Sequence, residues 1–295
     1  MLLSSSKVAR CVRTMRTSYR CLSSKDEATT SALIFGSNTG VGKTIISTGL
    51  SIAAMRAERR VCYIKPIQTG DMDEYFVQLY TNPKGIKDIQ FRTLRLWKAG
   101  VSGPEDQSIG NDDDIISEVI CTMQSFHEEE IASGKTPMES ELKLPFSVVE
   151  TLGGVLSPGP NKSLQAEVFR PLNKLPVVLV GDAGLGGISG TLCALEALQR
   201  RGYAVKALVF IDKVNSQVLR NASHVQEQLV RGFLESIPIS RSHNDAEGTS
   251  ERQSDTIPAI ITLSPLPKNS SNLLNIWFKA NESGFSALFQ AVIKR

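Results

Sequence analysis

The chain has 295 residues, 41% hydrophobic and 21% charged, a composition that suits one globular α/β domain with insertions rather than a disordered or fibrous chain. No apolar run is long enough to cross a bilayer, so no membrane span is expected. The formal charge of +3 belongs to the first segment: Lys7, Arg10, Arg13, Arg16, Arg20 and Lys25 all precede the first acid, Asp26. The remaining 27 basic residues face 30 acids, which removes the electrostatic case for a nucleic-acid partner.

In residues 1–25 the cations recur every three or four positions among Ser, Thr and scattered apolar residues, with no acid. That pattern reads as an amphipathic organelle-targeting peptide, mitochondrial with plastid as the alternative; a plain basic tail is the competing reading. The five cysteines (Cys11, Cys21, Cys62, Cys121, Cys193) form no CxxC pair and are expected to be reduced thiols outside any zinc site.

The first apolar run, Ala32 to Phe35, leads into a Gly-rich turn and then a helical pattern from Ile45 to Ala57. Short apolar runs recur at Val61–Ile64, Phe146–Val149, Val177–Val180, Ala207–Ile211 and Ala259–Leu263. Helical patterns lie near 113–131, 191–202, 216–235 and 271–294. Such alternation predicts an α/β fold of the P-loop NTPase type: a parallel sheet with helices on both faces, formed by residues 31–295. Residues 84–145 otherwise read as a polar insertion, and 240–257 as a solvated loop.

Gly36-Ser37-Asn38-Thr39-Gly40-Val41-Gly42-Lys43-Thr44 sits between strand and helix. There, backbone N–H groups and a helix N-terminus can hold a phosphate, Lys43 can reach its outer oxygens and the Thr44 hydroxyl can face Mg²⁺. The first glycine stands one place early, at 36 instead of 37. Asn38 occupies the position where partitioning ATPases carry a second lysine.

The second strand runs into Lys65-Pro66-Ile67-Gln68-Thr69-Gly70. If this strand neighbours the first, Lys65 comes close to a terminal phosphate; a lysine capping a strand end at the surface is the alternative. Glu150 follows an apolar strand and precedes Gly153-Gly154, the place of a metal-holding acid, or else of an ordinary turn carboxylate. Asp73 could supply a second metal oxygen, or belong to a solvated acidic stretch with Asp71 and Glu74. A second glycine-rich loop, Gly181 to Gly190, opens a helix and is either an anion site or a flexible connection. With three histidines in the whole chain, a His-dependent triad has no good members.

Taken in order, GSNTGVGKT, KPIQTG, VVETLGGVLSPGP and VGDAGLGGISGTLCALEALQRRGY resemble the dethiobiotin synthetase family over about residues 32–293, in the form that eukaryotes can fuse to a diaminopelargonate aminotransferase. The resemblance implies a homodimeric enzyme that uses Mg²⁺ and ATP to join CO₂ to 7,8-diaminononanoate and close a cyclic urea. It gives catalytic roles to Lys43, Lys65 and Thr39. It places ATP on Gly40, Val41, Gly42, Lys43, Thr44, Ile45, Glu150, Thr151, Leu152 and Gly153, with the base at Asp212, Pro265, Leu266 and Pro267. Substrate falls to Thr69, Leu185, Gly186, Gly187, Ile188 and Ser189, the last five across a dimer interface. Metal ligation falls to Thr44, Asp73 and Glu150. Three departures stand out: Asp212 where asparagine is common, Leu152 in place of a small residue and so able to narrow the pocket, and a shorter span from Lys65 to Asp73 than in bacterial forms. A P-loop amidoligase of another kind, or a non-catalytic ATP switch, are the alternatives; the amidoligases that carry a glutaminase domain need more chain than this.

Overall fold

The computed structural model describes residues 31–82, 89–97, 110–128, 144–159, 161, 163–184, 186–213, 258–267 and 271–294. The segment expected to be a targeting peptide, the helix expected near 216–235 and the loop expected at 240–257 lie outside them.

Seven parallel strands form one sheet: β1 (Ser31–Gly36), β2 (Arg60–Thr69), β3 (Ile89–Trp97), β4 (Pro145–Glu150), β5 (Pro176–Val180), β6 (Ala204–Ile211) and β7 (Ala259–Leu263), in the spatial order β3-β2-β4-β1-β5-β6-β7. The helices are α1 (Lys43–Arg56), α2 (Asp73–Thr81), α3 (Asp112–Glu128), the single turn α4 (Gln165–Val168), α5 (Gly187–Gln199), α6 (Ser271–Ala280) and α7 (Glu282–Ile293). β1 and β5 are buried along their whole length, as their unbroken apolar runs require in a sheet covered twice.

Alternate residues feed two cores. Ala32, Ile34, Tyr63, Val148 and Val178 pack beneath α1, α2, α6 and α7, while Leu33, Phe35, Ile64, Val149 and Leu179 pack beneath α3, α4 and α5. Helices therefore cover both faces, as the alternating pattern predicts.

Four features depart from expectation. β2 is not the neighbour of β1, because β4 lies between them; the first crossover skips a position that the later strand fills. β3 and α2 form where no element was assigned. β3 is an edge strand, buried at Ile89 and Trp97 with Gln90, Arg92, Thr93 and Arg95 interspersed, so it lacks the continuous apolar run of a central strand. The pattern at 271–294 is two helices. They meet at Asn281, whose side-chain amide donates to Ser264 Oγ (2.7 Å) and Trp277 O (2.9 Å), and whose Oδ1 accepts from the Ser264 N–H (2.8 Å). Finally, Cys121 on α3 is disulfide-bonded, against the expectation of five reduced cysteines; Cys62 and Cys193 are not in disulfides.

Candidate active site

The sheet order reverses at β1, with β4 and β5 on its two sides, and the candidate residues gather at the carboxyl ends of these strands, where open α/β sheets bind ligands. Gly36 ends β1. A Cβ there would stand 2.8 Å from Asn38 O, 3.0 Å from Val41 Cγ2 and 3.1 Å from Lys43 Cδ, so the loop can curl back over this position only because it is glycine. The early glycine is thus a requirement of this loop's own path. Gly40 and Gly42 adopt positive φ (74° and 99°), and Gly42 leads into the first turn of α1. The turn is held on both sides: Ser37 N–H donates to Val180 O (2.8 Å) and Val155 N–H to Gly36 O (3.0 Å).

Lys43, the first residue of α1, is buried, and its Nζ donates to Gly153 O at 2.6 Å. Burial, reinforced by the like charge of Lys65 and opposed by Glu150, brings its pKa down to about 8. Thr44 Oγ1 donates to Glu150 Oε1 (2.9 Å).

Glu150 is the last residue of β4 and is fully buried. Because Ile64 pairs with Val149, the next residue of β2, Lys65, comes level with Glu150. Lys65 Nζ lies 2.9 Å from Glu150 Oε1 and 2.7 Å from Asp73 Oδ2 at the start of α2. Lys65 therefore reaches the loop's surroundings across β4, not from a strand beside β1. It is 2% exposed, which rules out a solvent-facing strand cap.

Tyr63, two residues earlier on the same face, donates its hydroxyl to Glu150 Oε2 (3.0 Å). Burial works against the charge on Glu150, yet Lys65 first and then Lys43 hold its pKa below the usual carboxylate value. Burial likewise works against the Lys65 ammonium, and Glu150 and Asp73 together raise its pKa above that of a free lysine. The Ser47 hydroxyl, one turn along α1, is buried close enough to favour the Glu150 carboxylate but makes no hydrogen bond of normal geometry.

Among the described residues no three His, Cys, Asp or Glu side chains cluster as a metal cage. The oxygens at hand are Glu150, Asp73 and the Thr44 hydroxyl, and the Lys65 ammonium held between the two carboxylates shows that they accommodate a positive charge. Hard oxygen donors of this number fit Mg²⁺, which keeps several waters and phosphate oxygens in its shell.

Other expected residues are placed as follows. Thr39 is exposed at the crest of the loop, and Thr69 ends β2. Thr151 directs both its N–H (3.1 Å) and its hydroxyl (2.9 Å) to Ile34 O, so its side chain braces β1. Leu152 is partly buried and packs on Ile67, Trp97 and Ile115. Val41 and Ile45 pack on the core beneath α1.

Asp212 follows β6 and Pro265-Leu266-Pro267 follow β7, joined by Asp212 N–H donating to Leu263 O (3.0 Å). They reach the phosphate loop through Ile211, whose Cδ1 would lie 2.7 Å from a Cβ on Gly42. Gly186 (φ 79°) caps α5, Gly187 is buried against Asp182 O, and Ile188 and Ser189 lie in the first turn; Leu185 falls outside the described residues. This loop follows β5, on the opposite side of β1 from Lys65. Tyr63 is the residue that sequence reasoning missed. Its signal is the two-residue spacing from Lys65, which puts both on one face of β2.

The AAA domain family model AAA_26 matches residues 30–244. A bifunctional dethiobiotin synthetase/7,8-diamino-pelargonic acid aminotransferase of Arabidopsis thaliana is 28% identical over 320 residues, covering 88% of this chain and 34% of its own length. The bifunctional dethiobiotin synthetase/adenosylmethionine-8-amino-7-oxononanoate aminotransferase of Emericella nidulans is 34% identical, over 60% of this chain and 21% of its own. An ATP-dependent dethiobiotin synthetase of Brucella ovis is 27% identical, over 65% of this chain and 80% of its own. The chain thus spans about a third or less of the bifunctional relatives and matches their synthetase part. With its family match covering the phosphate loop, Lys65 and Glu150, this chain belongs to the AAA domain family, in the group that contains the dethiobiotin synthetases.

Proposed function

We propose that this chain carries out the ATP-dependent carboxylation and ring closure of 7,8-diaminononanoate, with CO₂ as the one-carbon donor and ADP and phosphate released. The observation that carries the reading is the convergence of Lys43, Lys65, Thr44 and Glu150 beside a phosphate loop, at the carboxyl ends of β1 and β4 with Lys65 reaching in from the middle of β2. Two buried ammonium groups next to a helix N-terminus are what a transferring phosphoryl group needs, and no nucleophilic side chain is called for.

One amine of the substrate takes up CO₂ as a carbamate, losing a proton. The γ-phosphoryl group passes to a carbamate oxygen with release of ADP, giving a mixed anhydride. The second amine attacks the carbonyl carbon, phosphate leaves with the C–O bond electrons, and loss of a proton completes the cyclic urea. Lys43, held over the loop by Gly153 O, neutralises the outer phosphates. Lys65, held charged between Asp73 and Glu150, stabilises the carbamate and the phosphoryl group in flight. Thr44, Glu150 and Asp73 would hold Mg²⁺, which would supply charge neutralisation to the phosphates.

The base falls to Asp212 and Pro265 to Pro267, and the substrate carboxylate to the α5 N-terminus from Gly186 to Ser189. We read that terminus as serving the site of a second subunit in a homodimer, where its free N–H groups would meet the carboxylate. Thr39 and Thr69 contact substrate or phosphate. Residues 1–25 direct the chain to the mitochondrion, and a fused or associated aminotransferase supplies the diamine.

The test is labelled bicarbonate, Mg-ATP and 7,8-diaminononanoate, followed by a search for acid-stable label in a cyclic urea. ATP hydrolysis that is indifferent to the diamine, with no label fixed, would overturn the reading and favour a nucleotide switch.

A further inference from the structure

Glu150 divides its two oxygens between different kinds of partner. Oε1 accepts from Thr44 and from Lys65, the residues on the phosphate side. Oε2 accepts from Tyr63, whose phenol is fully buried in β2 and has a single proton to give. The phenol is anchored from both directions: its strand is paired with β4 through Tyr63 and Val148, and its ring packs in the core beneath α1. Three hydrogen bonds, two on Oε1 and one on Oε2, hold the orientation of the buried carboxylate. A carboxylate with one oxygen tied to a neutral donor offers the other as a single ligand. Bidentate binding needs both oxygens turned to the same ion, and Oε2 already accepts from the phenol.

The two common hard divalent cations differ in this respect. Mg²⁺ demands near-ideal octahedral geometry with short, separate oxygen contacts, whereas Ca²⁺ takes more ligands at longer distances and accepts both oxygens of one carboxylate. We propose that Tyr63 is a positioning residue that keeps Glu150 Oε2 out of the cation's coordination shell and so makes the site discriminate Mg²⁺ from Ca²⁺. It acts through Glu150 and touches neither nucleotide nor metal. The inference rests on the reading of Glu150 as a metal ligand. It adds what sets the ligand's mode, and hence which ion the site prefers.

The variant is Tyr63→Phe, which keeps the ring and removes the hydroxyl. Titration calorimetry of Mg²⁺ and of Ca²⁺ into the full chain saturated with a non-hydrolysable ATP analogue reads the two affinities without turnover. Partners of metal-ligating groups typically govern metal affinity by 10- to 100-fold. The wild type is expected to prefer Mg²⁺, and in the variant the Ca²⁺ to Mg²⁺ affinity ratio is expected to rise on the order of tenfold. Glu150→Gln, measured in parallel, separates this inference from the reading beneath it. If Glu150→Gln leaves Mg²⁺ affinity unchanged, the metal role of Glu150 fails and the inference with it. If Glu150→Gln weakens Mg²⁺ while Tyr63→Phe leaves the ratio at the wild-type value, only the role of Tyr63 is overturned.

The double variant completes the cycle. A residue acting through Glu150 adds nothing once Glu150 is replaced, so Tyr63→Phe/Glu150→Gln should match Glu150→Gln in both affinities. Additive losses would assign Tyr63 a merely structural part. Should Tyr63→Phe fail to fold, Tyr63→Met, which also removes the hydroxyl and keeps an apolar side chain in the core, is measured in its place against the same two outcomes.

Discussion

Lys65 and Glu150 stand level on neighbouring parallel strands, their charged atoms 2.9 Å apart and both side chains almost wholly buried. Each sustains the charge of the other. Removing one partner of such a pair strands a buried charge, at a cost of about 3–5 kcal/mol. Lys65→Ala is expected to lose on the order of 100-fold or more in kcat while retaining ATP, since Lys43 and the loop remain. It should also melt at lower temperature than the wild type at pH 7. Glu150 has its pKa depressed chiefly by Lys65, so the pair's stabilisation is present above the ordinary carboxylate value and fades as pH falls through the lowered one. Lys65 has a raised pKa, so its contribution persists below that of a free lysine and fades only as pH climbs through the raised one. Melting curves of the two proteins should therefore differ most near neutrality and converge in acid. A constant gap across pH would show that the loss is one of packing.

Lys43 sets a second pH signature. Its pKa of about 8 means that the free site is partly deprotonated in mild alkali, while an anionic nucleotide favours the ammonium. ATP binding should take up a proton above pH 8, and its Kd should rise there by up to about tenfold per pH unit. Calorimetry in buffers of different ionisation heats measures the uptake directly. Lys43→Arg, which stays charged throughout, should flatten the profile; persistence of the inflection would assign it to another group.

Gly36 and Gly40 separate two reasons for a glycine. At Gly36 a methyl group would press on Asn38, Val41 and Lys43, so Gly36→Ala should raise the ATP Kd at least tenfold by displacing the loop. At Gly40 there is open space and the obstacle is the positive φ, so Gly40→Ala should cost about 1 kcal/mol in stability and less in affinity. Melting and nucleotide titration of both variants check the contrast, and equal effects would remove it.

Ser189 is exposed in the first turn of α5 and can be changed without a clash, unlike Gly187, whose Cβ would meet Asp182 O at 2.0 Å. Ser189→Asp puts a like charge where the substrate carboxylate is proposed to dock, so KM for the diamine acid should rise with ATP affinity unchanged. Mixed with Lys65→Ala under conditions of subunit exchange, it should recover activity through hybrid dimers that hold one intact site. No recovery would place both elements in the same subunit's site.

Deleting residues 1–25 should leave turnover of the purified protein intact and abolish organelle import in cells. A loss of turnover would assign the segment to the fold, and import without it would assign targeting elsewhere.

Much of this was legible because parallel strands buried on both faces announce themselves as apolar runs: β1, β4, β5 and β6 were each visible in that way. β3 was not, since an edge strand keeps polar residues on its open side, and α2 hid in an acidic stretch whose carboxylates, Asp73 and Glu74, favour its N-terminus. Phosphate loop, Lys65 and Glu150 were readable as motifs. Their meeting was not, because strand order is a property of crossovers: Lys65 reaches Glu150 only because β4, made much later in the chain, slips between β1 and β2. Thr151 and Leu152 show the reverse limit. A motif names neighbours in sequence, but that Thr151 reaches Ile34 O and Leu152 packs on Ile67, Trp97 and Ile115 follows from the fold.

The central place of β1 also shapes how the protein comes into being. Ser31 pairs with Ser147 and Gly36 with Val180, so the first strand made waits for more than a hundred residues before either edge is covered. At ordinary translation rates that interval is on the order of ten seconds. During it the sticky stretch Ala32 to Phe35 has no partner, and the phosphate loop at its end cannot close. A ribosome-bound fragment ending before residue 145 is therefore expected to lack a formed ATP site, and late-formed long-range pairing of this kind favours slow refolding and self-association.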